Sequence, residues 1–180
     1  MALSKENLNF STTCDRPAVE ERVAIALGSN LGDSANLLQL ALNALNQEDG
    51  IVLTHVSPFY QTAPVGPPQP DYVNTCALLY TTLFPFELLS RLLQVEQQFG
   101  RVRQERWGPR VLDLDLLLYG DRIIDQPGLQ IPHPRMRDRA FVLVPLADIA
   151  GDWVEPTSQQ TVASLLNNVD PAGVKLMVPA

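Results

Sequence analysis

Hydrophobic and polar positions divide this chain into segments of two periods. Arg22 to Leu27 (RVAIAL) has the short apolar run of a buried strand, and it ends at Gly28-Ser29-Asn30-Leu31-Gly32-Asp33, whose glycines mark a turn. Asp33 or Ser34 then caps a helix running to about Asn46, with Leu37, Leu38, Ala41 and Leu45 at helical spacing. A second strand is predicted over Ile51 to Thr62, with Pro58 marking an edge or a bulge, and a third over Tyr72 to Leu83. Pro85 opens a second helix that Gly100 ends, and Leu88, Leu92, Val95 and Phe99 form its core stripe. VLDLDLLLY, ending at Tyr119, is a fourth strand; Tyr119 to Arg122 then turn, and Ile123-Ile124 form a short return. Near the end only Thr161 to Asn167 has helical character.

The order β-α-β-β-α-β predicts an α+β fold of ferredoxin-like pattern, with extra strands and a helix added on the C-terminal side. There are no repeats. Residues 1–21 lack an apolar signal core and are expected to form a flexible arm before a single domain over 22–180.

Two acids break the fourth strand. Strand residues two apart share a face and lie about 6.6 Å apart along the backbone, so Asp113 and Asp115 project together. Converging carboxylates can hold two hard cations about 3.5–4 Å apart, as in two-metal phosphoryl chemistry. In strict alternation their face also carries Val111, Leu117 and Tyr119, so the acids need compensating charge. The preceding loop supplies it: Arg101, Arg103, Arg106 and Arg110 lie within ten residues, between Gly100 and the strand, together with Trp107. Guanidinium forks bind phosphate oxygens in pairs, so this loop reads as a clamp.

Composition narrows the ligand. With a formal charge of −7 the chain is a poor binder of nucleic acid or membrane surfaces, yet seven of its thirteen basic residues fall within Arg101–Arg110 and Arg135–Arg139. That combination fits a small anionic ligand. Only Lys5 and Lys175 are lysines and no G-K-[ST] is present, which excludes a P-loop. Cys14 and Cys76 lack framework or metal-ligand spacing and read as free thiols of a cytoplasmic protein; no apolar run is long enough to span a bilayer.

Other positions gather around this centre. His133 is fixed between Pro132 and Pro134 and leads into Arg135, Arg137, Arg139 and Phe141, which makes it a candidate phosphate contact. Tyr72 and Asn74 share one strand face, an aromatic plate beside an amide that suits a flat heterocycle. The proline-rich segment Pro64–Pro70 forms a stiff wall. Glu96 lies beside the second helix's core stripe, where it either contacts the site or sits on the helix surface, and His55 reads as structural.

Four blocks in order, ALGSNLGD, SPFYQTAPVGPPQPDYVN, GRVRQERWGPRVLDLDLLLYG and IPHPRMRDRAFVLVPL, resemble the 6-hydroxymethyl-7,8-dihydropterin pyrophosphokinases of folate biosynthesis over about Val23 to Ile149. The resemblance implies transfer of the β,γ-pyrophosphoryl group of ATP to the pterin hydroxymethyl group, with release of AMP. It implies two Mg²⁺ ions on Asp113 and Asp115. Tyr72 and Phe141 would sandwich the pterin, Asn74 and the backbone around Thr62, Ala63 and Val65 would read its polar edge, and Trp107 would seal the site. ATP would meet Arg101, Arg103, Arg110, Leu116, His133 and Arg139, of which Arg101 and Arg110 would serve catalysis with the two acids. The loops at Gly28–Asn30, Pro64–Tyr72 and Arg101–Arg110 would close over the substrates. Gln104 and Pro134 depart from the family pattern. A monomer acting on ATP and a reduced pterin is expected. The residues alone leave open a nucleotidyltransferase releasing pyrophosphate, or a non-catalytic ligand sensor.

Overall fold

The computed structural model describes residues 20–64, 68–100 and 110–178. Its elements in chain order are β1 (Glu21–Ser29), α1 (Ser34–Leu45), β2 (Ile51–Val56), β3 (Tyr60–Thr62), β4 (Tyr72–Thr81), α2 (Pro85–Gln98) and β5 (Asp113–Tyr119). There follow β6 (Ile124–Gln126), β7 (Leu129–Ile131), α3 (Ala140–Ala150), β8 (Val154–Glu155), β9 (Gln160–Thr161), α4 (Val162–Leu166) and β10 (Val174–Leu176). β4, β1 and β5 are neighbouring antiparallel strands; β2 and β3 both pair with β4, and β10 adds to β3. This is the expected α+β, ferredoxin-like arrangement. Among the described residues no helix is long and apolar enough to cross a membrane.

The local signals act as their chemistry requires. Asp33 accepts the Asn36 N–H to cap α1, and Pro85 opens α2 while Glu87 takes the Phe84 N–H. Gly100, at φ +81°, ends α2 in a conformation that favours glycine. Pro58 separates β2 from β3, so the single predicted strand is two. Glu21, assigned to the arm, opens β1 opposite Thr81; residues 1–19 lie outside the described residues.

Helices α1 and α2 cover one sheet face, packing Leu38, Leu42, Leu88 and Leu92 against Val23, Ile25 and Leu27 of β1. The opposite face of β1 carries Ala24 and Ala26, and α3 with α4 covers it through Val142, Leu143, Leu146 and Leu165. The sequence reading names no element over 140–150. α3 is buried on more than one side and contains Pro145, so its apolar positions show no single stripe.

β5 corrects another expectation. Ala24 pairs with Leu118 and Ile25 with Leu116, leaving Leu117 as an extra residue. Before this bulge Leu114 and Leu116 face α1 and α2; after it Leu117 and Leu118 both pack toward α3, and the alternation restarts with Tyr119 on the α1/α2 side. Tyr119 is thus not on the face of the acids, and its hydroxyl donates to the Leu83 carbonyl at 2.6 Å.

Candidate active site

The open end of the α3 side of the sheet is built from the start of β4, the end of β1 and the start of β5. Register places Gly28 between Asn74 and Asp113, and Ala26 between Cys76 and Asp115. Small residues on the central strand leave a depression flanked by polar side chains. A cleft of about 460 Å³ occupies it, bounded also by Thr62, Ala63, Tyr72, Arg110, His133, Arg139 and Phe141. Residues from every predicted block are therefore brought together. Arg101, Arg103, Val65 and Trp107, with Gln104, lie outside the described residues.

Two guanidinium groups and an imidazole face the two acids. Arg110 Nη1 donates to Asp113 Oδ2 at 2.5 Å, while Arg139 Nη1 and His133 Nε2 stand 3.6 and 3.8 Å from Asp115 Oδ2. Burial, followed by the neighbouring Asp113 charge, pushes the Asp115 carboxyl above its ordinary value, against the pull of His133, Arg139 and Arg110. Burial lowers the His133 pKa, although Asp115 opposes it. The Arg135 N–H donates to His133 Nδ1 at 3.1 Å, which places the proton of the neutral ring on Nε2, toward Asp115. The histidine is anchored from behind, its N–H donating to the carbonyl of bulged Leu117 at 2.9 Å.

The pair of hard carboxylate oxygens fits Mg²⁺, which is commonly held by one or two carboxylates together with substrate phosphates. Burial first and the Asp113 charge second raise the Asp115 pKa, and a dication would relieve the like-charge part. Among the described residues, no group of three or more His, Cys, Asp or Glu side chains forms a metal cage.

Asn74 is oriented by its neighbour. Its Nδ2 donates to Thr62 Oγ1 at 2.7 Å, and its Oδ1 lies over Gly28, where a Cβ would come within 3.0 Å of it. Arg139 stacks on Phe141, 5.4 Å from the ring centroid. Leu116 is absent from this cleft and lines an adjoining depression with Asp115, Leu129, His133 and Pro134, so the two concavities meet at Asp115 and His133. His55 lies exposed on β2.

Two features exceed the sequence reading. Asp138 lines the cleft within a run of arginines that masked it. Asn30, read as part of a turn, is buried and joins three segments: its N–H and Oδ1 bond the Arg110 backbone at 3.1 and 2.8 Å, and its Nδ2 reaches Gln69 Oε1 and the Pro70 carbonyl at 3.0 and 3.1 Å. An asparagine in a Gly-Ser-Asn turn was the visible signal; its partners 39 to 80 residues away were not.

Comparison with known proteins identifies the family and the fold. The chain is 48% identical over 165 residues to the 2-amino-4-hydroxy-6-hydroxymethyldihydropteridine pyrophosphokinase of Synechocystis sp., covering 92% of this chain and 85% of that protein. It is 51% identical over 136 residues to the Haemophilus influenzae protein of the same name, covering 75% and 85%. The crystal structure of wild-type Plasmodium falciparum HPPK-DHPS with STZ-DHP superposes with a TM-score of 0.68 at 13% identity. That likeness concerns the fold, covering 83% of this chain and 43% of the other. A family profile matches residues 24–151, and the chain belongs to the 7,8-dihydro-6-hydroxymethylpterin-pyrophosphokinase (HPPK) family.

Proposed function

We propose that the cleft around Asp113 and Asp115 is where this chain carries out the reaction of its family. The chain is an enzyme of folate biosynthesis that transfers a pyrophosphoryl group from ATP to the hydroxymethyl group of 6-hydroxymethyl-7,8-dihydropterin. The observation that carries the assignment is the meeting of two carboxylates, two arginines, a histidine and an aromatic-amide cleft at one end of the sheet.

In this reading Tyr72 and Phe141 hold the two faces of the pterin, and Asn74 with the Thr62–Ala63 backbone, continuing to Val65, reads its edge. Asn74 offers its carbonyl oxygen and one amide hydrogen, because its other amide hydrogen is donated to Thr62 Oγ1. Arg110, His133 and Arg139 bind phosphate oxygens, joined by Arg101 and Arg103; Trp107 covers the site, and Leu116 lines the nucleotide side. Two Mg²⁺ held by Asp113 and Asp115 would, when bound, neutralise triphosphate charge.

The hydroxymethyl oxygen attacks the β-phosphorus of ATP and loses its proton. The bond from that phosphorus to the α–β bridging oxygen breaks, and AMP leaves with the oxygen and the electron pair. Positioning and charge neutralisation carry most of the acceleration, as in other phosphoryl transfers. The domain that begins with β1 acts as one monomeric cytoplasmic unit, with small molecules rather than nucleic acid as partners.

The test is the product. Chromatography after incubation with Mg-ATP and the reduced pterin should show AMP and the pterin diphosphate. ADP would indicate a kinase, free pyrophosphate a nucleotidyltransferase, and no turnover a sensor. Asp115→Asn should lower kcat about 10²–10³-fold without lowering the unfolding midpoint.

A further inference from the structure

Glu96 is buried in the last turn of α2, at the end of a helix where backbone carbonyls disfavour negative charge. Burial alone would favour an apolar residue here. Its Oε1 accepts the backbone N–H of Leu114 at 2.7 Å. Leu114 stands between Asp113 and Asp115, and its side chain is buried in the α1/α2 core. Among the described residues β5 is the last strand on its side of the sheet. The Asp113–Leu114 peptide is therefore held on the edge of β5 by a helix side chain, where another strand would otherwise bond.

We propose that Glu96 is a positioning residue for the Asp113–Asp115 pair. Acting through the Leu114 N–H, it fixes the Asp113–Leu114 peptide plane and hence the direction of the Asp113 carboxylate relative to Asp115, without touching substrate. The inference rests on the metal-binding reading of that pair. Partners one step behind a ligand set its orientation, and losing one commonly costs about 10–100-fold in metal affinity.

The experiment uses full-length protein, with Mn²⁺ as the probe in the presence of a nonhydrolysable ATP analogue. Mn²⁺ affinity is followed by electron paramagnetic resonance, and the Leu114 amide by hydrogen exchange in ¹⁵N-labelled protein. Glu96→Gln keeps the shape and one acceptor oxygen; it should leave Leu114 protected and Mn²⁺ affinity within about threefold of native. Glu96→Met removes the acceptor, and should expose the Leu114 amide and weaken Mn²⁺ binding about 10–100-fold. A folded Glu96→Met protein that binds Mn²⁺ as tightly as native, whatever its loss in thermal midpoint, overturns the proposal and leaves Glu96 a packing residue. A Glu96→Gln protein with Leu114 protected but Mn²⁺ affinity tenfold down also overturns it, since charge rather than the hydrogen bond would then matter. Native protein that takes up no Mn²⁺ would refute the metal reading itself, a result independent of residue 96.

Discussion

Along β1, one face presents Val23, Ile25 and Leu27, and the other presents Ala24, Ala26 and Gly28. The large side meets α1 and α2 and closes into core. The small side leaves a gap one side chain deep, which α3 fills at one end and the cleft occupies at the other. The same alternation that makes a strand amphipathic in polarity here makes it asymmetric in size. A binding site on a sheet thus needs room on the central strand as well as polar groups on its neighbours.

That contrast can be broken from either face. Ile25→Ala, on the large side, should cost about 2–5 kcal/mol of stability by urea unfolding, with kcat/KM of the folded fraction nearly unchanged. The polar contacts beneath α3 offer a second handle. The Tyr60 hydroxyl donates to Asp148 of α3 at 2.5 Å, and burial, aided by Asp148, pushes its pKa up to about 12 from 10.0. The folded chain holds this proton where the unfolded chain releases it, so the stability is fully present below pH 10 and lost as pH rises toward 12. Tyr60→Phe should flatten the fall in unfolding free energy between pH 9 and 11.5 by at most about 2 kcal/mol. Gly28→Ala, on the small side, should spare stability yet raise the pterin KM roughly tenfold, about 1.4 kcal/mol, because the new Cβ displaces the Asn74 amide. An unchanged KM in that variant would detach the central strand from recognition.

Much of this was legible in the chain because the signals were local. The βαββαβ order, the stripes of α1 and α2, and the shared face of Asp113 and Asp115 all follow from spacing alone. His133 was conspicuous because two prolines restrain it. What escaped depends on distant partners. The bulge at Leu117 leaves no mark in the sequence because β5 is apolar on both sides there, so no polar residue shows the alternation, and Tyr119 changes face unannounced. Helix α3 was hidden by being apolar on more than one side, Asn30 by the separation of its partners, and the alternatives for Glu96 were resolved only by its burial against Leu114.

Cys76 pairs with Ala26, directly beneath α3, and its thiol donates to the Val142 carbonyl at 3.5 Å. Burial drives its pKa far above the usual thiol range, so the sulfur is protonated as well as enclosed. Alkylating reagents can reach it only when α3 lifts away. In a chain whose Cys14 is replaced by serine, the rate of iodoacetamide labelling becomes a clock for that detachment, readable by mass without any added dye.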